Sequence, residues 1–180
     1  MTRRLVLIAV LIAAFANCAS AEIEKFGRPG TNGLDLVWWP HLPALQGWHH
    51  DEEASWKLTA NVLVPAGQNF DEAPAIMYAN AVFKPRTEAK TLAEFIANDQ
   101  KDFKENVPGV KISSLPALPD GDGKNLTTYQ FIPSSKGDWE VISYGEEGDF
   151  FLVFALNAHS GAAMRATLPA FKSLVRRYHR

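Results

Sequence analysis

Cysteine is almost absent from this chain: the one instance, Cys18, lies within the first twenty residues. If that segment is removed on export, disulfides, thiolate metal sites and cysteine nucleophiles are all excluded from the working protein. An excess of basic charge is also missing. Lys and Arg number 18 against 20 Asp and Glu, so there is no electrostatic footprint of nucleic-acid binding. After Ala21 no apolar run approaches the ~20 residues that a membrane helix needs. Phosphate-cradling and nucleophile motifs are lacking as well: there is no P-loop, no G-x-G-x-x-G and no G-x-S-x-G elbow.

What is present first is an export signal. Arg3 and Arg4 form a basic start, Leu5 to Ala16 is uncharged and apolar, and Ala19-Ser20-Ala21 is the small-x-small pattern read by signal peptidase. Cleavage is expected before Glu22, leaving 159 residues, the size of one domain. Losing two arginines leaves 16 basic and 20 acidic residues, a formal charge of −4. Two alternatives are a retained anchor, for which the segment is short, and lipidation at Cys18. A lipoprotein signal wants a Leu-type residue and a small residue where Phe15 and Asn17 stand.

The rest of the chain reads as alternating strands and helices. Residues 22–33, with Gly27, Pro29, Gly30 and Gly33, read as a flexible lead-in, and Leu34 to Trp39 as a short strand. Trp56 to Val64 alternates apolar and polar residues, which predicts a half-buried strand. Ala75 to Lys84 predicts a second. Thr91 and Glu94 form a capping box for a helix to Glu105, stopped by Pro108-Gly109. Strands are expected at Val110–Leu115 and Leu126–Ile132. A hairpin of Trp139–Tyr144 and Phe150–Asn157 should follow, its second arm apolar on both faces and therefore central. Ser160 can cap a last helix, with Pro169 marking a kink or a new first turn. The expected fold is α+β: a twisted antiparallel sheet flanked by an amphipathic helix and a C-terminal helix, with residues 34–180 as one domain.

The densest polar cluster is His49-His50-Asp51-Glu52-Glu53. If that piece is extended, His49, Asp51 and Glu53 share one face, and imidazole with carboxylates suits zinc. His41 is a further candidate ligand, and solvated surface charge is the alternative. Asp120-Gly121-Asp122-Gly123 has the composition of a calcium loop, but Phe131 stands where the bidentate Glu would be, so a turn is expected. His159 precedes Ser160, yet adjacent residues rarely present base to nucleophile, and a helix cap accounts for the serine. The tryptophans are Trp38, Trp39, Trp48, Trp56 and Trp139. They are either core residues or, where exposed, anchors for a partner.

The order of these elements, with Lys90-Thr91-Leu92-Ala93-Glu94-Phe95 at the capped helix and Leu168-Pro169-Ala170-Phe171 in the last one, resembles the PsbP-like family, which includes the bacterial DcrB-like envelope proteins. The likeness runs from about Leu34 to Tyr178. It implies an antiparallel sheet flanked by helices, serving as an accessory or protein-binding module without catalysis. The expectation is therefore a periplasmic or secreted bacterial protein that needs no cofactor and acts on an unidentified protein partner, possessing no stable transmembrane anchor after cleavage. Immunity or inhibition fits within that class. The contact would be the loop from Pro40 to Glu53, with Trp39, Trp48, His49, His50 and Asp51 as contact residues. The alternative is a metal- or small-ligand-binding protein, conceivably a hydrolase, that uses His49, Asp51 and Glu53.

Overall fold

The computed structural model describes residues 23–31, 33–42, 45–134 and 137–180. The expected signal peptide and Cys18 lie outside them. The fold is α+β, as the sequence pattern predicts.

Two strands open the described chain, β1 (Ile23–Gly30) and β2 (Gly33–Pro40), paired antiparallel from Ile23–Pro40 to Gly30–Gly33. Residues 23–30 therefore belong to a hairpin and are not a loose lead-in. Gly27, Pro29 and Gly30 are compatible with a loose segment, but backbone pairing with β2 holds them in a strand. The side chains that dock the hairpin are aromatic: Trp39 stacks on Phe26 and meets Trp56 edge-on, while Trp38 stacks on Phe83.

Next come β3 (Trp48–His50), α1 (Glu52–Leu58) and β4 (Asn61–Pro65). Here the first three residues of the predicted strand over Trp56 to Val64, Trp56 to Leu58, are the last turn of α1, and only Asn61 onward is strand. Local hydrogen bonding overrides the alternation. Asp51 caps the helix by accepting from the Ala54 N–H at 2.9 Å, and Glu52 and Glu53 sit in the first turn, where carboxylates favour the helix dipole. Thr59 ends it in the left-handed region at φ 53°, an uncommon place for a β-branched residue. Ser55 ties the turn together, donating to the Asp51 carbonyl and accepting from the Val62 N–H.

The remaining elements match the expected order: β5 (Ala75–Phe83), a 3-10 turn (Lys84–Arg86), α2 (Leu92–Asn106), β6 (Lys111–Pro119), β7 (Asn125–Ile132), β8 (Trp139–Glu147), β9 (Phe150–Ala158) and α3 (Gly161–Arg176). The Thr91–Glu94 capping box is formed in both directions. Pro169 lies inside α3, which runs on through it as one helix. Seven strands form one antiparallel sheet in the order β3-β4-β5-β9-β8-β7-β6. The doubly apolar β9 is its central strand, covered on both faces.

Register determines which residues share a face. On one face Met77, Ala79, Val141, Phe154 and Leu156 pack against Met164, Phe171, Leu174 and Val175 of α3. On the other, α2 lays Ile96 over Phe131, Ile142, Tyr144 and Ala155, and α1 lays Ala54 over Val62, Val64 and Ile76. Tyr78 packs against both of these smaller clusters. The two helices on this face thus leave a strip of sheet uncovered beside Tyr78.

The chain end is fastened to the β6–β7 turn. The Arg180 Nε donates to Asp120 Oδ2 at 2.8 Å, the Gly121 N–H donates to the Tyr178 carbonyl at 2.7 Å, and His179 pairs with Asp122 at 3.0 Å. The acidic turn with the composition of a calcium loop is thus a receptor for the C-terminal residues.

Candidate functional site

The uncovered strip forms a cleft of about 560 Å³, within the range of small-molecule sites. Its apolar part is Leu58, Phe70, Ala73, Ala75 and Ile76; its polar part is Tyr78, Asn80, Asn157, Asp138 and His159, with Asp71 at the edge. Strand geometry explains the convergence. Side chains two apart on a strand share a face, so Ile76, Tyr78 and Asn80 of β5 point the same way. Asn157 pairs in register with Ile76 on one side and with Glu140 on the other. Asp138 and His159 flank the adjacent ends of β8 and β9, where Trp139 pairs with Ala158.

The polar groups divide: Tyr78, Asn80 and Asn157 are half-buried, whereas Asp71, Asp138 and His159 are exposed. Behind Asn157, Glu140 is buried and accepts from the Asn157 amide at 3.0 Å. Burial raises its carboxyl to about 7, with Asp138 and Asp99 adding repulsion and the Asn157 hydrogen bond opposing both. Burial likewise drives the Tyr78 hydroxyl far up, and the negative charges of Glu140, Asp99 and Asp138 act in the same direction. Beneath α2, Tyr144 donates to Asp99, whose carboxyl burial also raises. The Asn80 Oδ1 is shielded from solvent and meets no hydrogen-bond donor among the described residues. At the mouth, His159 Nδ1 lies 2.9 Å from Asp138 Oδ1, with both side chains partly exposed. Perturbed acids beside an unsatisfied acceptor are the features by which functional sites are recognised.

The residues singled out from the sequence sit elsewhere. His49 is exposed on β3 and Glu53 is exposed on α1, whereas Asp51 spends its carboxylate on the helix cap. The extended segment that would have aligned His49, Asp51 and Glu53 is replaced by a strand end and a helix start. His41 pairs with Glu24 at 3.0 Å. Among the described residues no group of three or more His, Cys, Asp or Glu is placed to hold a metal ion. Of the contact residues named for a partner, Trp39 is 6% exposed, Trp48 packs against the main core, and His50 lies 2.7 Å from Asn61 Oδ1. Trp39 is therefore a core residue, consumed by the stack with Phe26. Ser160 uses its hydroxyl to cap α3, accepting from Ala163 N–H at 3.1 Å, so it does not complete the His159–Asp138 pair as a nucleophile.

Asn80, Glu140 and Asn157 escaped the sequence reading. The available signal is a polar residue at an inward position of an otherwise apolar strand, as in Tyr78-Ala79-Asn80-Ala81-Val82 and Phe154-Ala155-Leu156-Asn157-Ala158.

No family model matches this chain, and no curated protein does. Among solved structures it is similar to PA94, a protein of unknown function from Pseudomonas aeruginosa. Identity is 14%, the match covers 83% of this chain and 92% of that one, and the TM-score is 0.45. A likeness of that size supports no functional statement.

Proposed function

We propose that this chain is an exported, non-catalytic binding protein of the bacterial envelope, and that the cleft between α1 and α2 is its binding site. One observation carries the reading: an apolar floor and a set of converging polar groups meet on a stretch of sheet that neither helix covers. Binding sites have this composition, mostly apolar with a few placed polar groups. At the cleft the polar side chains are engaged with one another, Asn157 with the buried Glu140 behind it and Asp138 with His159, and Ser160 is committed to a cap. That arrangement suits recognition better than acyl transfer. Export rests on the basic, apolar and small-residue pattern up to Ala21. The resemblance in element order to PsbP-like and DcrB-like proteins supports the same class. The Trp48 loop is the weaker contact surface, because Trp39, Trp48, His50 and Asp51 are each engaged within the chain.

The test is a thermal-shift screen of the mature protein with small molecules of mixed charge, repeated on Asn80→Phe and on Leu58→Trp, which narrow the cleft from its floor and from its lip. Binders whose stabilising effect disappears in both variants support the reading. Binders indifferent to both variants, or a screen without binders, would overturn it.

A further inference from the structure

Sheet register sets two separate polar stations in the cleft. Asn157 lies level with Ile76 of β5 and with Glu140 of β8. His159 and Asp138 stand two residues further on, beyond the strand ends and on the same face, and they meet at 2.9 Å. The His159 N–H donates to the Pro74 carbonyl at 3.1 Å, which holds this end of β9 beside β5. Asn157, Asp138 and His159 therefore make one compact group at the mouth. The second station is Asn80, four residues along β5 from Ile76, a distance of about 13 Å at the rise of a strand. Between the stations the floor is Ile76 and Tyr78, with Phe70 beside them.

The charges of this lining cancel. Asp138 is paired with His159, and Asp71 lies 4.0 Å from the Lys57 ammonium. Glu140, behind Asn157, keeps its proton up to about 7, and no Lys or Arg lines the cleft. An ion of either sign thus finds no free counter-charge. What remains is hydrogen-bonding capacity. Asn157 gives one amide N–H to Glu140, which leaves its second N–H and its oxygen. Asp138 keeps a second carboxylate oxygen, and His159 keeps Nε2. The Asn80 Oδ1 has no donor among the described residues, and because the last torsion of Asn is broad, its amide can turn either end to an occupant. A hydroxyl both donates and accepts, so it suits all of these groups, whereas an ammonium only donates and a carboxylate only accepts. The aromatic surface fits the same partner. Phe70 borders this cleft and the smaller hollow, while Lys57, over its ring at 5.2 Å, lines only the smaller one. The negative face of an aromatic ring attracts the weakly positive C–H bonds of a sugar.

We propose that the cleft binds a neutral disaccharide. One ring lies over Ile76 with hydroxyls on Asn157, Asp138 and His159, and the other lies over Tyr78 with a hydroxyl on Asn80. This rests on the cleft being the binding site and adds the chemical class of its occupant. A single ring reaches one station; two linked rings reach both, and the volume of about 560 Å³ accommodates them.

The probes are maltose, cellobiose, lactose and N,N′-diacetylchitobiose, with glucose as the single ring and phenylethanol as an apolar alcohol. Each is titrated into the mature protein by calorimetry and by amide chemical shifts. At least one disaccharide should bind in the millimolar range or tighter, and about tenfold tighter than glucose, with shifts at Ile76, Asn80, Asn157 and His159. Asp138→Ala and His159→Ala, both at exposed positions, should each weaken it about tenfold, the size of one lost charge-assisted contact. Asn80→Leu should weaken it about fivefold, the size of one neutral hydrogen bond. A disaccharide that binds no tighter than glucose, or whose affinity is unmoved by the variants of either station, would refute the assignment. If phenylethanol shifts cleft resonances and no sugar does, the cleft remains a binding site and the saccharide class is wrong. If no probe shifts a cleft resonance at millimolar concentration, the assignment fails together with the site.

Discussion

Glu140 and Asn157 face each other across β8 and β9 at 3.0 Å, in a row that runs from Ile76 through Phe131 to Ile112. The carboxyl is buried against apolar neighbours with one amide as its donor. Its ordinary value of 4.5 rises to about 7 in the folded protein. The folded state therefore holds this proton over a pH range in which the unfolded chain has released it. Stability is greatest below about 4.5 and falls as pH climbs to about 7, after which this group contributes no further slope. Glu140→Gln keeps a group able to accept from Asn157 and carries no charge. It should remove most of this slope, stabilising the protein at pH 8 by up to about 3 kcal/mol and changing little at pH 4. Urea denaturation at the two pH values checks this; an unchanged slope in the variant would contradict it.

Tyr144 donates to Asp99 beneath α2, and this bond is the main influence opposing the rise of the Asp99 carboxyl. Tyr144→Phe removes the donor and keeps the ring that meets Phe95 and Tyr129. The expected cost is about 1–3 kcal/mol, because a part-buried carboxylate loses its partner. The Asp99 carboxyl should titrate at higher pH in the variant, measured by side-chain carbon NMR. Loss of stability without that movement would mean that packing alone was disturbed.

The C-terminal Arg180 meets an Asp120 carboxylate that is wholly shielded from solvent, while the arginine side chain itself is 12% exposed. Asp120 also accepts from the Asp122 and Lys124 N–H groups, which shapes the β6–β7 turn. Removing one member of such a pair leaves a buried charge, so Arg180→Ala should cost about 3 kcal/mol. Asp120→Asn combined with Arg180→Ala should cost less than the two single changes added together. Simple additivity in that thermal-denaturation cycle would show that the contact contributes nothing.

If the chain is exported as proposed, the intact mass of the protein recovered from the envelope fraction should correspond to a chain starting at Glu22. Such a chain has no cysteine, so a thiol reagent should leave its mass unchanged. A lipid-modified Cys18, or a chain retaining Arg3 and Arg4, would contradict that expectation.

Much of the fold is legible in the sequence because periodicity and punctuation agree along most of it. The Thr91–Glu94 box, the doubly apolar run from Phe150 and the Ser160 cap each mark an element that the structure contains. The reading fails where two codes overlap. In Trp56-Lys57-Leu58-Thr59-Ala60 the alternation is real, but Asp51 supplies a helix cap and Thr59 accepts a left-handed turn, and those local bonds win. In residues 23–30 the glycines suggested a loose segment, whereas Phe26 stacking on Trp39 holds a hairpin. The site was the least legible part. Asn80, Glu140 and Asn157 are far apart in the chain and are gathered only by strand register, which a sequence does not display. The conspicuous His49–Glu53 cluster, contiguous and charged, is divided by the start of α1.

The most direct test of the central claim is residue-resolved NMR mapping of whichever small molecule most stabilises the mature protein. The predicted result is that its largest shifts fall on Tyr78, Asn80, Asn157 and His159, with the Trp48–His50 strand unmoved. Shifts centred on Trp48 and His49, with the cleft silent, would contradict it.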